Sequence, residues 1–344
     1  MTENREVICP ECAPVDRRDF VRYVSLGAAA LTTGMTTLLP SVARAAAETL
    51  PMPRVRKSQL AEDLIKELFA GMSDDQKKKV AKPFDHPARL SVNPNRALDR
   101  KIGSVYSKTQ VELIERIVRA ISGSDQGFWQ ISRAGTWDQS MEFINTGADF
   151  FGDPTQGKYA FLFTGHHLTV RCDGDQQDGS AFGGPIYYGH TPNPYSDNNV
   201  FMYQTKAAMK FFDALDEKQR AQAVVKKGNP GEGAKSIQLK KEAAHPGIAA
   251  KELSADQKEL MESVMQAVLD PFREEDVKEV MSVIKATGGM EKIHFAFYNE
   301  EYEGAKTTDK QPWSFWRLEG PGIVWNFRVL PHVHTYVNIS TKSS

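Results

Sequence analysis

Four of the eight histidines in this 344-residue chain lie in two short groups whose spacing suits metal binding. His332 and His334 are two residues apart, so on a β-strand their side chains share one face and can bind the same ion. His166 and His167 are adjacent, so on a regular strand they point to opposite faces and only one of them can join the pair. The spacing therefore predicts a metal site made of three imidazoles.

The choice of the third imidazole depends on the residues that follow the adjacent histidines. The face of the strand that carries His167 also carries Thr169 and Arg171, which are polar. The face of His166 carries apolar side chains, so we favour His167 and keep His166 as a further ligand or as a contact of the substrate. Three imidazoles leave an open coordination position, which favours copper or iron and leaves zinc open. The alternative is that these histidines are partly buried polar residues with hydrogen bonds inside a sheet.

Other residues near these groups could contact a substrate. His190 lies in a loop rich in glycine and proline, where it could be a fourth ligand, a catalytic residue or an exposed loop residue. Arg317 lies among aromatic residues and could hold a carboxylate or an anionic intermediate, or could be a surface arginine. An acidic run (Glu300, Glu301 and Glu303) could supply a general base or form a solvated turn. The chain has no nucleophile elbow, phosphate loop, dinucleotide fingerprint or His-Glu-x-x-His motif, which argues against the corresponding enzyme classes.

Strands and helices follow one another in an order that predicts the fold class. Aromatic and β-branched runs predict strands in residues 159–172, 293–298, 314–318, 323–329 and 334–339. Apolar residues at helical spacing predict amphipathic helices near residues 60–69 and 111–121, and capping boxes predict helix starts at Ser73, Asp216 and Ser254. We therefore expect an α+β fold in which amphipathic helices pack on a mostly antiparallel sheet built from the middle and carboxyl-terminal strands. Residues 226–250 are rich in glycine and predict an exposed loop.

The amino terminus has the pattern of an export signal. Arg17 and Arg18 precede an uncharged run over residues 23–42, and a small-x-small site follows at residues 43–45. A membrane-spanning helix is the alternative, but the glycine, threonine and proline residues in the run disfavour it. We predict that residues 1–45 are a twin-arginine signal peptide, that the export machinery of that pathway is a partner, and that the mature protein is periplasmic or secreted with no stable membrane span.

The remainder of the chain is expected to be a linker over residues 46–57 followed by a single α+β domain over residues 58–344. With 43 basic and 44 acidic side chains the chain is nearly neutral, so we expect no nucleic-acid partner. Removal of the signal peptide leaves Cys172 as the only cysteine, so the mature chain has no internal disulfide.

The motifs occur in an order that resembles a known family. Gly-His-His-Leu at residues 165–168 is followed by a Gly-Pro loop, by helix starts of the Leu-Ser/Asp-x-x-Gln type, by an aromatic-Arg-x-x-Gly-Pro segment at residues 316–321 and by His-x-His-Thr at residues 332–335. From about residue 103 to residue 339 the chain resembles the bacterial domain-of-unknown-function family numbered 3500 (DUF3500). The resemblance implies that the histidines belong together as one site. The chain departs from the family pattern at Trp325-Asn326, where a glutamate is usual, and after residue 335.

Two hypotheses of function follow. The first is an exported metal-binding protein, and more specifically a metalloenzyme with redox or oxygen chemistry at copper or iron, or a zinc hydrolase. Redox chemistry is preferred because twin-arginine export often carries proteins that bind their cofactor before translocation. The second is a non-catalytic exported protein that binds a small molecule, a peptide or a metal.

Overall fold

The computed structural model describes residues 60–174, 179–240 and 244–342. The predicted signal peptide and linker lie outside these residues. Within the described residues, no helix combines the length and the apolar character needed to cross a membrane.

Side-chain caps set the starts of the main helices. The three predicted capping boxes are present at Ser73, Asp216 and Ser254, and a fourth is present at Ser107. In each box the cap accepts a hydrogen bond from the amide three residues later, and the glutamine at that position accepts one from the amide of the cap. The helices of the described residues are α1 (Ala61–Ala70), α2 (Asp74–Val80), α3 (Ile102–Val105), α4 (Lys108–Ile121), α5 (Asp125–Ile131), α6 (Met202–Asp213), α7 (Glu217–Ala223), α8 (Ala255–Leu269) and α9 (Glu274–Ala286).

The strands form one sheet of eleven members, with every described neighbour antiparallel except at the two edges. They are β1 (Ala81–Lys82), β2 (Gly147–Gly152), β3 (Tyr159–Gly165), β4 (Leu168–Cys172), β5 (Ile186–His190), β6 (Val224–Val225), β7 (Ile248–Ala249), β8 (His294–Tyr298), β9 (Phe315–Gly320), β10 (Ile323–Arg328) and β11 (Val333–Ile339). The order across the sheet is β1-β2-β3-β4-β5-β11-β10-β9-β8-β6, and β7 pairs with β8. The predicted α+β class is confirmed.

The predicted strand over residues 159–172 is two strands. The adjacent histidines form the two-residue turn between β3 and β4, and His167 has a φ of 49°. A residue with positive φ cannot continue a strand, so the chain reverses at this point. The expectation that the two imidazoles simply alternate across a regular strand is therefore wrong.

The two halves of the chain repeat one series of elements. In each half a helix is followed by a capped short helix and a two-residue strand, then by a longer capped helix and four antiparallel strands. The two-residue strands β1 and β6 each add in parallel to the first of those four, β2 and β8. Counted from either edge towards the centre, the strands of each half therefore follow one another in chain order. The antiparallel β5 and β11 pair with each other at the centre of the sheet.

The cap glutamines repeat in the same way. In the first half Gln76 and Gln110, from two different caps, are hydrogen-bonded through their side chains at 2.7 Å. In the second half Gln219 and Gln257 make the same contact at 2.7 Å. These glutamines thus cap their own helices and also join pairs of helix starts.

The two faces of the sheet differ in what covers them. The helices and the main hydrophobic core lie on one face, which carries alternate residues such as Phe161, Phe163 and Trp316. Two segments, residues 83–98 and residues 226–240, pack on the opposite face, and we call them the first and second covering segments. The prediction that residues 226–250 are an exposed loop is wrong in part, because residues 236, 237 and 239 are buried and Ile248–Ala249 form β7.

The face under the covering segments carries buried charge. By strand alternation it holds Asp149, Arg171, Arg317, Arg328 and His334, all at most 7% exposed. A buried charge is costly unless it is paired or neutralised. This face is therefore where we look for a functional site.

Asp149 on β2 is one of these buried groups. Neither of its carboxyl oxygens has a hydrogen-bond partner among the described residues. Burial raises its pKa from the ordinary 3.8 to about 7, against the attraction of Lys82. A carboxyl with a raised pKa stabilises the fold at low pH, and this stabilisation is lost as the pH rises from about 4 through about 7.

We therefore predict that Asp149→Asn, which keeps the size of the side chain but cannot ionise, raises the free energy of unfolding at pH 8 by about 2–4 kcal/mol relative to the parent protein. At pH 4 the two proteins should have nearly equal stability. Urea unfolding at both pH values measures the difference, with the exposed Asp197→Asn as a control that should show no pH-dependent effect. A stability difference that is equal at pH 4 and pH 8 would contradict the raised pKa.

Candidate metal centre

Three imidazoles meet beneath the covering segments. The Nε2 atom of His334 lies 3.0 Å from Nε2 of His167 and 3.0 Å from Nε2 of His332. His167 and His334 are completely buried, and His332 is 5% exposed. The structure thus brings together the strand pair His332 and His334 and the histidine favoured as their partner.

The turn that carries His167 is anchored through its backbone. The amide of His166 donates to Oγ of Ser140, and its carbonyl accepts from the buried guanidinium of Arg133 at 2.8 Å. The amide of His167 donates to Oδ1 of Asn95 in the first covering segment. These contacts fix the left-handed conformation that directs the His167 ring towards β11.

A glycine in β5 makes room for the imidazoles. Gly189 pairs with His334 across the β5–β11 ladder, and its amide donates to the carbonyl of His167 at 2.9 Å. A Cβ atom on Gly189 would lie 2.3 Å from the carbonyl oxygen of Val333 and 3.1 Å from the His334 ring. Any larger residue would therefore push the two halves of the centre apart.

Carboxylates hold two of the three imidazoles in one tautomer. Nδ1 of His167 lies 3.0 Å from Oδ2 of Asp138, and Nδ1 of His334 lies 2.6 Å from Oε1 of Glu232. An ionised carboxylate only accepts, so each Nδ1 carries the proton and each Nε2 presents a lone pair. Asp138 is itself held by the amide and the hydroxyl of Thr191.

Burial keeps all three imidazoles neutral. It lowers the pKa of His167 to about 4, although Asp138 opposes the shift. Burial and then the charge of Arg328 lower the pKa of His332 to about 2 and hold that of His334 well below its ordinary value. Burial alone would raise the pKa of Asp138, but its contacts with the imidazoles outweigh burial and hold that pKa well below the usual range. Neutral imidazole is the form that binds metal.

Arg328 on β10 is fully buried and directs every N–H of its guanidinium to an acceptor. Nε donates to the carbonyl of His332, and Nη1 donates to Oε2 of Glu232 at 2.7 Å and to Oε2 of Glu303 at 3.1 Å. Nη2 lies 2.9 Å from Nε2 of His332 and 2.7 Å from Nε2 of His334. The guanidinium therefore donates to the lone pairs of two of the three imidazoles and fixes the tautomer of His332 as well.

The donor set fits a metal ion. The three Nε2 atoms converge among buried side chains, and the two distances of 3.0 Å from Nε2 of His334 are close to the roughly 3.3 Å that tetrahedral ligation at 2.0–2.1 Å requires. Each of these atoms is an acceptor, so the contact of His167 with His334 needs a cation or a proton between the two nitrogens. The ligand atoms of the three histidines all lie within 4.8 Å of one another, and this group can hold a metal ion.

His166 lies beside this group. Its ring lies against that of His167, tilted by 40° with 3.8 Å between the ring centres, and its Nδ1 lies 3.6 Å from Oδ1 of Asp138. Together with Asp138 and His167 it forms a second group whose ligand atoms lie within 4.8 Å of one another. It is thus close enough to contribute to the site, as the sequence allowed.

The two catalytic candidates lie elsewhere. His190 is the last residue of β5, where its Nδ1 accepts from the amide of Val200 at 3.1 Å and burial lowers its pKa to about 4. Arg317 on β9 pairs with Glu319 at 2.9 Å and also donates to the carbonyl of Ser236. The guanidinium at the centre is that of Arg328, not that of Arg317.

Several residues of the centre escaped the sequence analysis. Arg328 could have been found, because the hairpin of β10 and β11 places it directly opposite His334. Asp138 begins a three-residue 3-10 helix and Glu232 lies in an irregular segment, both far from the histidines in sequence, so no local pattern marks them. Glu303, one of the acidic residues named as a possible general base, pairs its carboxylate with Arg328.

Comparison with known proteins shows which family the chain is related to. A family model described as protein of unknown function (DUF3500) matches residues 56–341, a range that includes every helix and strand described above. No curated protein and no solved structure matches the chain. Because the match covers most of the sequence, the chain belongs to the DUF3500 family.

Proposed function

We propose that this protein is an exported metal-binding protein, and more specifically a metalloenzyme that binds copper or iron through His167, His332 and His334. The observation that carries the proposal is the convergence of three neutral imidazoles whose lone pairs face one another at 3.0 Å. The lone pairs of His332 and His334 both accept from Nη2 of Arg328, so the contact that calls for an added positive charge is that of Nε2 of His167 with Nε2 of His334, at 3.0 Å. A metal ion bound by all three imidazoles would supply that charge.

The surroundings of the imidazoles support the same proposal. Asp138 and Glu232 hold the Nδ1 side of His167 and His334, which is the usual second layer of a histidine metal site. Two carboxylates, those of Glu232 and Glu303, pair with the guanidinium of Arg328, and a third, that of Asp138, contacts the imidazole of His167. The excess of negative charge favours an added cation.

The chemistry of the ligands favours a transition metal. Imidazole nitrogens suit copper, iron and zinc, whereas magnesium and calcium prefer oxygen ligands. A metal with three protein ligands supplies an open position for oxygen, water or substrate. Copper or iron is preferred because the proposed twin-arginine export is compatible with loading before translocation, and a zinc hydrolase is the variant of this proposal.

One observation favours a second candidate, a non-catalytic metal carrier. The three imidazoles are 0–5% exposed, so a large substrate does not reach them in the conformation described. A carrier needs only the metal to enter. Catalytic turnover of a small substrate would distinguish the enzyme hypothesis from the carrier hypothesis.

The proposed metal site predicts the metal content of the protein. Protein purified from its native export route should contain about one copper or iron ion per chain, and His332→Ala or His334→Ala should remove it because two ligands do not hold the ion. Elemental analysis measures the content. His294→Ala, on β8, is the control and should keep the metal. Substoichiometric metal in the wild type, or full metal content in both alanine variants, would refute the proposal.

The second prediction concerns the carboxylates. Asp138→Asn and Glu232→Gln should keep the three ligands but weaken metal affinity about 10–100-fold, because they no longer hold the imidazoles as strong acceptors. Competition with a chelator of known affinity measures the change. Glu300→Gln, an exposed residue of the same acidic run as Glu303, is the control and should leave the affinity unchanged. Wild-type affinity in both site variants would show that these carboxylates do not support a metal.

The third prediction concerns export. Replacing both Arg17 and Arg18 by lysine should leave the precursor in the cytoplasm, because the paired arginines are the recognition element of the proposed signal. Cell fractionation followed by immunoblotting measures the distribution. Arg22→Lys, in the same segment, should be exported normally. Normal export of the double variant would contradict the proposed pathway.

A further inference from the structure

We propose that the protein has a second binding site, which takes a small oxyanion with two negative charges. The site is a cleft of about 240 Å³ between the second covering segment and the strands β8 and β9, and we call it the anion cleft. The three histidines of the proposed metal centre do not line it, so the proposal does not depend on a bound metal. The polar and charged side chains that carry the proposal are Lys235, Lys240, His245, Tyr298, Arg317 and Glu319.

A buried ion pair forms part of the wall of the anion cleft. Arg317 is 7% exposed and Glu319 is 5% exposed. Nε and Nη2 of Arg317 donate to the two carboxylate oxygens of Glu319 at 2.9 and 3.1 Å, and Nη1 donates to the carbonyl of Ser236. Burial alone would raise the pKa of Glu319, but its contacts with His245 and Arg317 lower that pKa to about 2. The carboxylate is therefore ionised, and it holds the guanidinium in a fixed position before a ligand binds.

The wall of the cleft keeps donors that no described residue uses. A guanidinium carries five N–H groups, and the contacts of Arg317 with Glu319 and Ser236 occupy three of them. One N–H on Nη1 and one on Nη2 thus have no acceptor among the described residues. Burial raises the pKa of Tyr298 to about 12, so its hydroxyl keeps its proton and can also donate. A buried charged donor is strongly favoured to find an acceptor, and a ligand in the cleft can supply one.

The charges that line the cleft do not cancel. Lys235 and Lys240 are exposed, and neither forms an ion pair with another described residue. Together with Arg317 they supply three positive charges, against the single negative charge of Glu319. Two positive charges are therefore left unbalanced, even when His245 is neutral. An anion with two negative charges would balance them.

These features define the chemical class of the ligand. The cleft offers N–H and O–H donors, and its one carboxylate is already paired, so the oxygens of an oxyanion suit it. Its volume of about 240 Å³ lies below the roughly 300–1,000 Å³ of sites for drug-sized ligands, so the ligand is small. Inorganic phosphate and succinate share this chemistry and serve as probes, and acetate is the singly charged comparison. The proposal gives Arg317 the contact with an anion that the sequence allowed for it.

The experiment titrates each probe into the full mature chain by calorimetry, in about 0.15 M sodium chloride to screen non-specific attraction. One variant combines Lys235→Gln with Lys240→Gln, which removes two charges at exposed positions without disturbing the core. Its control combines Lys226→Gln with Lys227→Gln, two exposed lysines of the same covering segment that do not line the cleft. Tyr298→Phe removes one hydroxyl from the wall and keeps the ring.

We expect the wild type to bind phosphate or succinate at least about 10-fold more tightly than acetate, because the second charge of the dianion meets a second cation. The double variant at residues 235 and 240 should bind the preferred dianion at least about 10-fold more weakly, and Tyr298→Phe roughly 3–10-fold more weakly. The control pair should stay within about twofold of the wild type. Tighter binding of phosphate assigns the ligand to the phosphate class, and tighter binding of succinate assigns it to the dicarboxylates.

Several results would overturn the anion cleft. They are the absence of binding of both dianions to the wild type, equally tight binding of acetate, equal losses in the two lysine pairs, and wild-type affinity in Tyr298→Phe. His332→Ala separates the cleft from the metal centre, since this variant should bind the dianion normally. Loss of dianion binding in His332→Ala would move the anion to the metal centre and refute the cleft, whereas a wild type without metal would refute only the metal proposal.

Discussion

The hydrogen bonds of one buried guanidinium, that of Arg328, hold the centre together. They connect β10 to the imidazoles of β11, to Glu232 in the second covering segment and to Glu303 after β8. A buried charge of this kind is tolerable only when all of its donors are satisfied, so the carboxylates must be brought to it. The second covering segment therefore packs on the sheet for an electrostatic as well as a hydrophobic reason.

The repeat of the fold explains where the centre lies. The first half supplies His166, His167 and Asp138, and the second half supplies the histidines of β11 together with Arg328. The two series of strands meet at β5 and β11, and the centre lies next to this seam. Neither half alone contains the three converging imidazoles. The turn of β9 and β10, which corresponds to the histidine turn, carries proline and glycine, so the repeat is one of topology and not of function.

How far the sequence predicts the structure depends on the distance over which a feature acts. Caps such as Ser73 and Asp216, and the strands of the carboxyl-terminal part, follow from spacing within a few residues and were predicted correctly. The two-residue spacing of His332 and His334 also brings their rings together, although His332 lies one residue before the start of β11. The turn at His167 was missed because a positive φ in a histidine has no clear local signal. Asp138 and Glu232 were missed because only the folded chain brings them to the imidazoles.

The place of β11 has a consequence for how the molecule is made. This strand is the last of the described strands in the chain, yet it lies in the middle of the sheet between β5 and β10. During synthesis the first ten strands are therefore available while the central position remains open, and both neighbouring strands present unpaired edges that invite aggregation. Closure of the sheet waits until this strand has been synthesised, and the segment that carries it also carries His332 and His334. Completion of the sheet and completion of the imidazole cluster are consequently one event, so that an occupied centre would report a fully assembled sheet.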